Sequence, residues 1–147
     1  TAEEFDIMKT HALIGADAID EAIHRAKALQ GTVTTDVSPQ DNPLSRDFLE
    51  TAQQIAGGHH EKWDGSGYPN GLQGEAIPLP ARLMAIADVF DALISKRHYK
   101  EAFQLERTVQ IISEGRGKHF DPDIVDAFLA LVPEFTAIAD RYVDTHR

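Results

Sequence analysis

Apolar residues recur at helical intervals along most of the chain. From Glu3 to Leu29 their spacings are three, four and seven residues, which is typical of one buried face of a long helix. The positions on that face are Phe5, Met8, Ala12, Ile19 and Ile23. The sequence has no sustained alternation of apolar and polar residues of the kind that predicts strands. The pattern therefore predicts an all-α fold.

Capping and breaking residues divide the rest of the chain into shorter helices. Ser45 is predicted to cap the second helix, and Gly57-Gly58 should loosen its end. Asp121-Pro122 combines an N-cap with a proline and predicts another helix start. The predicted helices cover residues 3–29, 45–58, 80–95, 104–114 and 123–131, with a last one from 133. Residues 30–44, which hold one glycine, three threonines and two prolines, are expected to form a flexible loop.

Composition narrows the range of functions. A length of 147 residues with 42% hydrophobic content suits one domain, and no apolar run approaches the roughly 18 residues of a membrane span. A net charge of −10 argues against binding a nucleic-acid polymer, and an anionic ligand would need local cations or metal ions. Without cysteine, any metal must be held by His, Asp and Glu, which favours Fe, Mn or Mg.

Residues 59–74 carry the densest chemistry in the chain. This segment holds two adjacent imidazoles, two carboxylates and four glycines, which predicts a metal site beside an anion pocket lined by backbone. Adjacent residues on a helix diverge by about 100 degrees, so His59 and His60 converge poorly on one ion in regular geometry. They would suit a site with two ions or the frayed end of a helix. The alternative is that one ring packs in the core while the other is solvated.

Further candidates lie outside this segment. Asp88 stands in an apolar stretch, so we expect a buried carboxylate that needs a metal, an arginine or a helix N-terminus as partner. Asp91, one turn further on, either orients a ligand or is solvated. His11 lies on an apolar stripe as a core residue or a ligand. Arg97 and Lys100 follow the Asp88 helix, where they suit either the helix dipole or a bound phosphodiester.

Three ordered segments carry a specific resemblance. They read HHEKWDGSGYPNGLQGEAIP, ARLMAIADVFDALISKRHYK and GRGKHFDPDIVDAF, and with their surroundings they cover about Met8 to Phe128. This pattern resembles the HD-GYP family, bacterial metal-dependent phosphodiesterases that hydrolyse cyclic di-GMP. The resemblance implies an HD-domain-like helical bundle with a long irregular GYP loop. It also implies two or three divalent metal ions, with Fe or Mn as the expected metals.

The resemblance assigns roles to individual residues. His11 of the MKTH segment would be a metal ligand, and His59, His60 and Asp88 would be both metal ligands and catalytic residues. The residues that would contact the substrate are Gly67 and Tyr68 in the GYP loop, and Arg97 and Lys100 at the phosphates. The metal and GYP segment would span residues 45–100, and the C-terminal helices residues 104–147.

The implied function is hydrolysis of cyclic di-GMP to linear pGpG, or onward to GMP, by a cytoplasmic output domain of a bacterial signalling protein such as a two-component system. Implied partners are an upstream sensor or receiver domain in the same polypeptide and a second copy in a homodimer, without membrane insertion. Two alternatives stay open: a non-catalytic cyclic di-GMP receptor, and an HD-type hydrolase of another nucleotide. The family's His-Asp dyad belongs upstream of the MKTH segment, so residues 1–147 are expected to form a partial domain whose site is incomplete.

Overall fold

The protein is mostly helical in the residues that the computed structural model describes, which are 1–30, 43–94 and 101–143. Six α-helices follow in order: α1 (Ala2–Gln30), α2 (Pro43–Gly58), α3 (Leu79–Ile94), α4 (Glu101–Glu114), α5 (Pro122–Ala130) and α6 (Val132–Val143). Within these ranges there is no strand, only an isolated bridge between Arg116 and Phe120. The predicted all-α class is confirmed. None of these described helices combines the length and apolar character needed to cross a bilayer.

Most helix boundaries fall close to their predicted positions. Asp121 is the N-cap of α5, as predicted, and its Oδ1 accepts a hydrogen bond of 2.9 Å from the Asp123 backbone N–H. Ser45 was wrongly predicted as a cap, because α2 already begins at Pro43, a residue well tolerated in the first turn of a helix. Gln30 and Pro43 belong to helices, so the predicted loop is shorter at both ends. Its remainder, residues 31–42, lies outside the described residues.

The main hydrophobic core is built by α3, α4, α5 and α6. Phe90 of α3 packs edge-on against Phe128 of α5 and Phe135 of α6, with ring centroids 5.8 and 5.4 Å apart. Ile112 of α4 and Val125 of α5 are fully buried in the same cluster. Edge-to-face aromatic contacts add specific geometry to the burial of apolar surface. This apolar cluster supports the segment that carries the candidate site.

Small residues allow close contact of α2 with α1 on one side and with α3 on the other. A Cβ built on Gly57 would lie 3.3 Å from the Ala16 Cβ, and one built on Gly58 would lie 2.8 Å from the Ala81 Cβ. Both glycines are helical, so they allow helices to approach closely where loosening of the helix was expected. The predicted buried face of α1 is only partly confirmed. Ala12 and Ile23 are buried, but Met8 is 53% exposed.

Candidate metal centre

Three histidines come together at the end of α2. The ligand nitrogens of His11, His59 and His60 all lie within 4.8 Å of one another. His11 comes from α1, while His59 and His60 follow directly after the last residue of α2. The His59 and His60 rings are tilted by 40° with centroids 3.9 Å apart. Because the helix has ended, adjacent imidazoles can turn to the same side, which is the helix-end arrangement that the sequence left open.

Backbone hydrogen bonds orient two of these rings. His11 Nδ1 contacts the Met8 carbonyl oxygen, and His59 Nδ1 lies 2.9 Å from the Ile55 carbonyl oxygen. A carbonyl oxygen can only accept, so each Nδ1 carries the proton and each neutral ring presents the lone pair of Nε2. His60 Nε2 lies 3.0 Å from His11 Nε2. The donor set therefore suits a divalent ion, since ligating histidines commonly donate their other N–H to a carbonyl in this way.

The electrostatic surroundings keep His60 neutral. Burial lowers the pKa of the His60 imidazole below its usual value of 6.5, and the neighbouring His59 and His11 lower it further. The charge of Asp88 acts in the opposite direction, which shows that this carboxylate lies close enough to influence the ring. A neutral imidazole is the form that binds a metal ion. The lowered pKa of His60 therefore favours the form of this ring that can bind a metal ion.

Asp88 was wrongly predicted to be buried. The residue lies on α3 with an exposed side chain, as do Met84, Ala92 and Asp91. Apolar neighbours in sequence did not imply burial here, because the buried residues Ala85, Ile86 and Phe90 occupy another face of the helix. Asp88 is thus near His60 without belonging to the compact group of three histidines. The predicted phosphate contacts Arg97 and Lys100 lie outside the described residues.

Glu61 anchors the glycine loop, which we define as residues 61–74. Its side chain is only 2% exposed, and its two carboxylate oxygens accept hydrogen bonds from the backbone N–H groups of Asn70 (2.7 Å) and Leu72 (3.0 Å). A buried carboxylate needs such partners. The sequence analysis counted Glu61 among the carboxylates of residues 59–74 without giving it a role, and an acidic residue within a glycine-rich run was the available sign of this anchoring. These two hydrogen bonds hold residues 70–72 of the loop against Glu61, which directly follows the paired histidines.

Gly67 and Tyr68 hold the middle of the loop against His60. A Cβ built on Gly67 would lie 2.3 Å from the Lys62 nitrogen and 2.6 Å from the His60 carbonyl oxygen, so no other residue fits without a shift. The Tyr68 backbone N–H donates to the same His60 oxygen over 3.2 Å. The Tyr68 ring stacks on the His60 imidazole, with centroids 4.8 Å apart and planes 26° apart. The loop therefore fixes the orientation of a candidate metal ligand.

The other half of the loop is attached to residues 115–121. Trp63 N–H donates to the His119 carbonyl oxygen (3.1 Å), and Asp64 N–H donates to that of Lys118 (2.9 Å). No site role was predicted for His119. In the structure its ring stacks on Phe120 at 4.2 Å, and burial lowers its pKa, with Lys62 adding to the effect and Asp64 opposing it. A connection across more than fifty residues of sequence carries no local signal from which it could have been predicted.

Comparison with known proteins now identifies the fold family. A sequence profile described as "HD domain" matches residues 37–124. The chain belongs to the HD domain family. The resemblance to HD-GYP proteins is confirmed by relatives over nearly the whole chain. A cyclic di-GMP phosphodiesterase of Vibrio cholerae is 52% identical over 98% of this chain, and one of Thermotoga maritima is 38% identical over 98%. A 3'3'-cGAMP-specific phosphodiesterase of Vibrio cholerae is 40% identical over 93%.

The similarity is confined to part of each relative. The chain spans 26% of the Vibrio cyclic di-GMP phosphodiesterase, 33% of the Thermotoga protein and 22% of the 3'3'-cGAMP-specific enzyme. The aligned part includes the histidine cluster and the glycine loop, because it covers nearly all of the 147 residues. Within this HD domain, a groove of about 460 Å³ between α4 and the α5–α6 pair includes none of the predicted site residues in its lining.

Proposed function

We propose that this HD domain forms the catalytic centre of a metal-dependent phosphodiesterase that hydrolyses cyclic di-GMP. The observation that carries the proposal is the convergence of His11, His59 and His60 on one another within 4.8 Å. The substrate is suggested by the relatives named as cyclic di-GMP phosphodiesterases. The products would be linear pGpG and, after a second hydrolysis, GMP. The enzyme would act in the cytoplasm, with a sensor or receiver domain and a homodimer as its proposed regulatory context.

The four candidate ligands contribute in two ways. His11 and His59 present Nε2 because their Nδ1–H groups are bound to carbonyl oxygens, and Asp88 contributes a nearby negative charge. Together with His60 they would hold two or three divalent ions, of which Fe and Mn match the oxygen and nitrogen ligands. Such ions, when bound, supply Lewis acidity toward phosphate oxygens and lower the pKa of water. The lowered pKa of His60 and the stacking of its ring on Tyr68 would favour a neutral imidazole in a fixed orientation for binding these ions.

Substrate binding would use the glycine loop and the residues after α3. Gly67 brings the backbone of the loop close to the centre, and Tyr68 presents its ring beside His60. We assign the phosphate contacts to Arg97 and Lys100, which follow α3 in sequence. With a net charge of −10, local cations are needed to attract a dianionic dinucleotide. Replacing either cation with Ala should weaken cyclic di-GMP binding while leaving metal content near normal.

A second candidate substrate is a mixed cyclic dinucleotide. One relative, which is 40% identical over 93% of this chain, is named as specific for 3'3'-cGAMP. Both substrates present two phosphodiesters in one ring and differ in a base. The histidine cluster would act on the phosphodiester groups, which the two substrates share. Selection between them would depend on contacts to the base rather than on the metal ligands.

The test is a hydrolysis assay on the natural polypeptide that carries these 147 residues. Cyclic di-GMP and 3'3'-cGAMP are supplied separately at equal concentration with Mn²⁺ or Fe²⁺, and products are resolved by anion-exchange chromatography. We expect pGpG from the first substrate, and its loss in the His60→Gln and Asp88→Asn variants. His24→Gln serves as the control, since His24 lies on α1 with an exposed side chain bonded to Asp20.

Three outcomes would contradict the proposal in different ways. Preferential cleavage of 3'3'-cGAMP would replace the substrate and keep the centre. Tight binding of cyclic di-GMP by calorimetry without any product would indicate a receptor instead of an enzyme. Equal turnover by the His60→Gln variant and the natural sequence would remove the histidine cluster from the reaction.

A further inference from the structure

A buried ion pair lies beneath the glycine loop. Arg82 of α3 donates from Nη1 to Asp121 Oδ2 over 2.7 Å, and the two side chains are only 17% and 6% exposed. The other oxygen of Asp121 accepts the Asp123 N–H at the start of α5. One carboxylate therefore serves both as helix cap and as partner of a buried guanidinium. Buried ion pairs rarely add much stability over apolar packing, so net stabilisation alone does not explain this pair.

The same guanidinium contacts the glycine loop. The Arg82 Cζ lies 5.9 Å from the centroid of the half-buried Trp63 ring, within the range of a cation–π interaction. Within the described ranges, Arg82 Nε is buried and has no hydrogen-bond partner. The guanidinium is thus positioned by Asp121 and by the face of Trp63. It links the loop to α3 and to the start of α5.

Trp63 in turn gathers both ends of the loop. Its N–H donates to the His119 carbonyl oxygen, and its own carbonyl oxygen accepts from Gly74 N–H over 2.9 Å. The neighbouring Asp64 N–H donates to Lys118. A displaced Trp63 would therefore disturb the start and the end of the loop together.

The loop transmits its position to His60 by short contacts. Tyr68 donates its N–H to the His60 carbonyl oxygen and stacks on the imidazole, while Gly67 rests on the backbone of residues 60–62. Glu61 closes the segment by binding two backbone N–H groups of the same loop. These contacts leave little freedom between Trp63 and Tyr68. A change at Arg82 can consequently reach His60 without any direct contact.

We propose that Arg82 is a positioning residue for the histidine cluster: by pairing with Asp121 and packing over Trp63, it holds the glycine loop so that Tyr68 fixes the orientation of His60. The inference rests on the proposed function for the identity of the centre that is served. It makes a separate claim about the loop, which can be measured without metal or substrate. If Arg82 had only a structural role, its replacement would lower the global stability but leave the order of the loop and the metal affinity of the folded protein unchanged.

The experiment compares Arg82→Met and Arg82→Lys with Arg116→Met. Arg116 is a matched control, because it also binds an aspartate of α5 from the 115–121 segment, through bonds of 2.8 and 2.7 Å to Asp126, but it does so on the surface. Amide hydrogen exchange at Trp63, Asp64 and Tyr68 is measured by NMR in metal-free protein. Mn²⁺ affinity is measured by electron paramagnetic resonance. Trp63 is the chain's single tryptophan, so its emission reports on this contact in the folded variants.

We expect Arg82→Met to speed exchange at the three amides, shift Trp63 emission and weaken Mn²⁺ binding by roughly 10-fold or more, the scale of losses when groups that orient metal ligands are removed. Arg82→Lys should show smaller changes in all three measurements, because it keeps the charge beside Asp121 and loses the planar guanidinium. Arg116→Met should resemble the natural sequence in every measurement. If Arg82→Met fails to fold, Arg82→Lys is judged by the same criteria, and Trp63→Leu by exchange at Asp64 and Tyr68 and by Mn²⁺ affinity.

Unchanged Tyr68 exchange and Mn²⁺ affinity in folded Arg82 variants would overturn the inference, even if stability fell. So would equal losses in Arg116→Met, because the effect would then belong to any ion pair of this segment. Absence of Mn²⁺ binding by the natural sequence would instead contradict the proposed function. In that case the exchange rates alone decide whether Arg82 positions the loop.

Discussion

The two sides of the molecule are stabilised in different ways. On one side, α3 to α6 enclose a continuous apolar cluster in which Phe90, Phe128 and Phe135 meet. On the other side, α1 and α2 meet through glycine and alanine, and large apolar residues of α1 such as Ile7 and Ile14 are 70% and 64% exposed. The histidine cluster lies on this second side. Stability and candidate chemistry are therefore carried by separate parts of one small domain.

The difference shows what a metal centre demands of its surroundings. An aromatic core resists distortion by dense packing, whereas the histidine cluster depends on close helix approach and on hydrogen bonds between loop backbones. Gly58 lets α2 reach Ala81, and Gly67 lets the loop touch the residues beside His60. Substitutions in the core should thus lower stability most, while substitutions around the loop should impair metal binding more than stability.

Truncation of a core ring should have the largest effect on stability. Phe128 is 2% exposed, so Phe128→Ala removes buried aromatic surface and leaves a cavity, at an expected cost of about 3–5 kcal/mol. Ile14→Ala, on the exposed side of α1, should change the free energy of unfolding by less than about 0.5 kcal/mol. Urea denaturation followed by circular dichroism measures both. Similar losses in the two variants would show that α1 contributes to the core as much as α3 to α6 do.

A methyl group at Gly67 should have the next largest effect. Its Cβ would overlap the Lys62 nitrogen, so Gly67→Ala should destabilise the protein by about 1–3 kcal/mol and weaken Mn²⁺ binding. Gly15→Ala is the contrasting change: its Cβ would meet the Ala56 Cβ at an ordinary 3.6 Å, and alanine favours the helix by about 1 kcal/mol. Mn²⁺ affinity is measured by calorimetric titration. If folded Gly67→Ala bound Mn²⁺ as tightly as the natural sequence, the loop would not support His60.

Acidification should have the smallest of these effects. Burial lowers the pKa of His60 and His119 below the value of 6.5 expected in the unfolded chain. Their contribution to stability is therefore complete above about pH 6.5 and is lost as the pH falls through their folded pKa values. Unfolding free energies measured between pH 7.5 and 5 should decline, and His119→Gln should flatten part of that decline. A profile of unchanged slope in His119→Gln would exclude His119 as a contributor.

Local sequence patterns predicted the positions of the helices well. Periodicity and Asp121-Pro122 placed the helices and the cap of α5 because these signals act over a few residues. The burial of Asp88 was wrongly predicted, since periodicity identifies a face of a helix without showing what lies opposite it. Neither could the pairing of Arg82 with Asp121 be predicted, because 39 residues separate the partners and only the packing of α3 against α5 brings them together.

The motif around His59 and His60 was informative for a different reason. Paired imidazoles followed by an acidic residue and several glycines indicated a metal site, and the structure adds His11 to the same cluster. From the residues alone, a place in the core was the favoured prediction for His11, and only the family resemblance assigned it as a metal ligand; the core prediction was wrong. Its ring is instead exposed, oriented by the Met8 carbonyl and within 3.0 Å of His60. Contact between α1 and α2 decides this, and sequence spacing does not contain that distance.

Calorimetric titration with Mn²⁺ tests the central claim most directly. The natural sequence is compared with His11→Gln, His59→Gln and His60→Gln, and with His24→Gln as the control on the surface of α1. We predict that each of the first three variants binds Mn²⁺ at least about 10-fold more weakly, since a nitrogen ligand is lost, while His24→Gln binds as the natural sequence does. Undiminished Mn²⁺ affinity in all three cluster variants would contradict the assignment of this cluster as the metal centre.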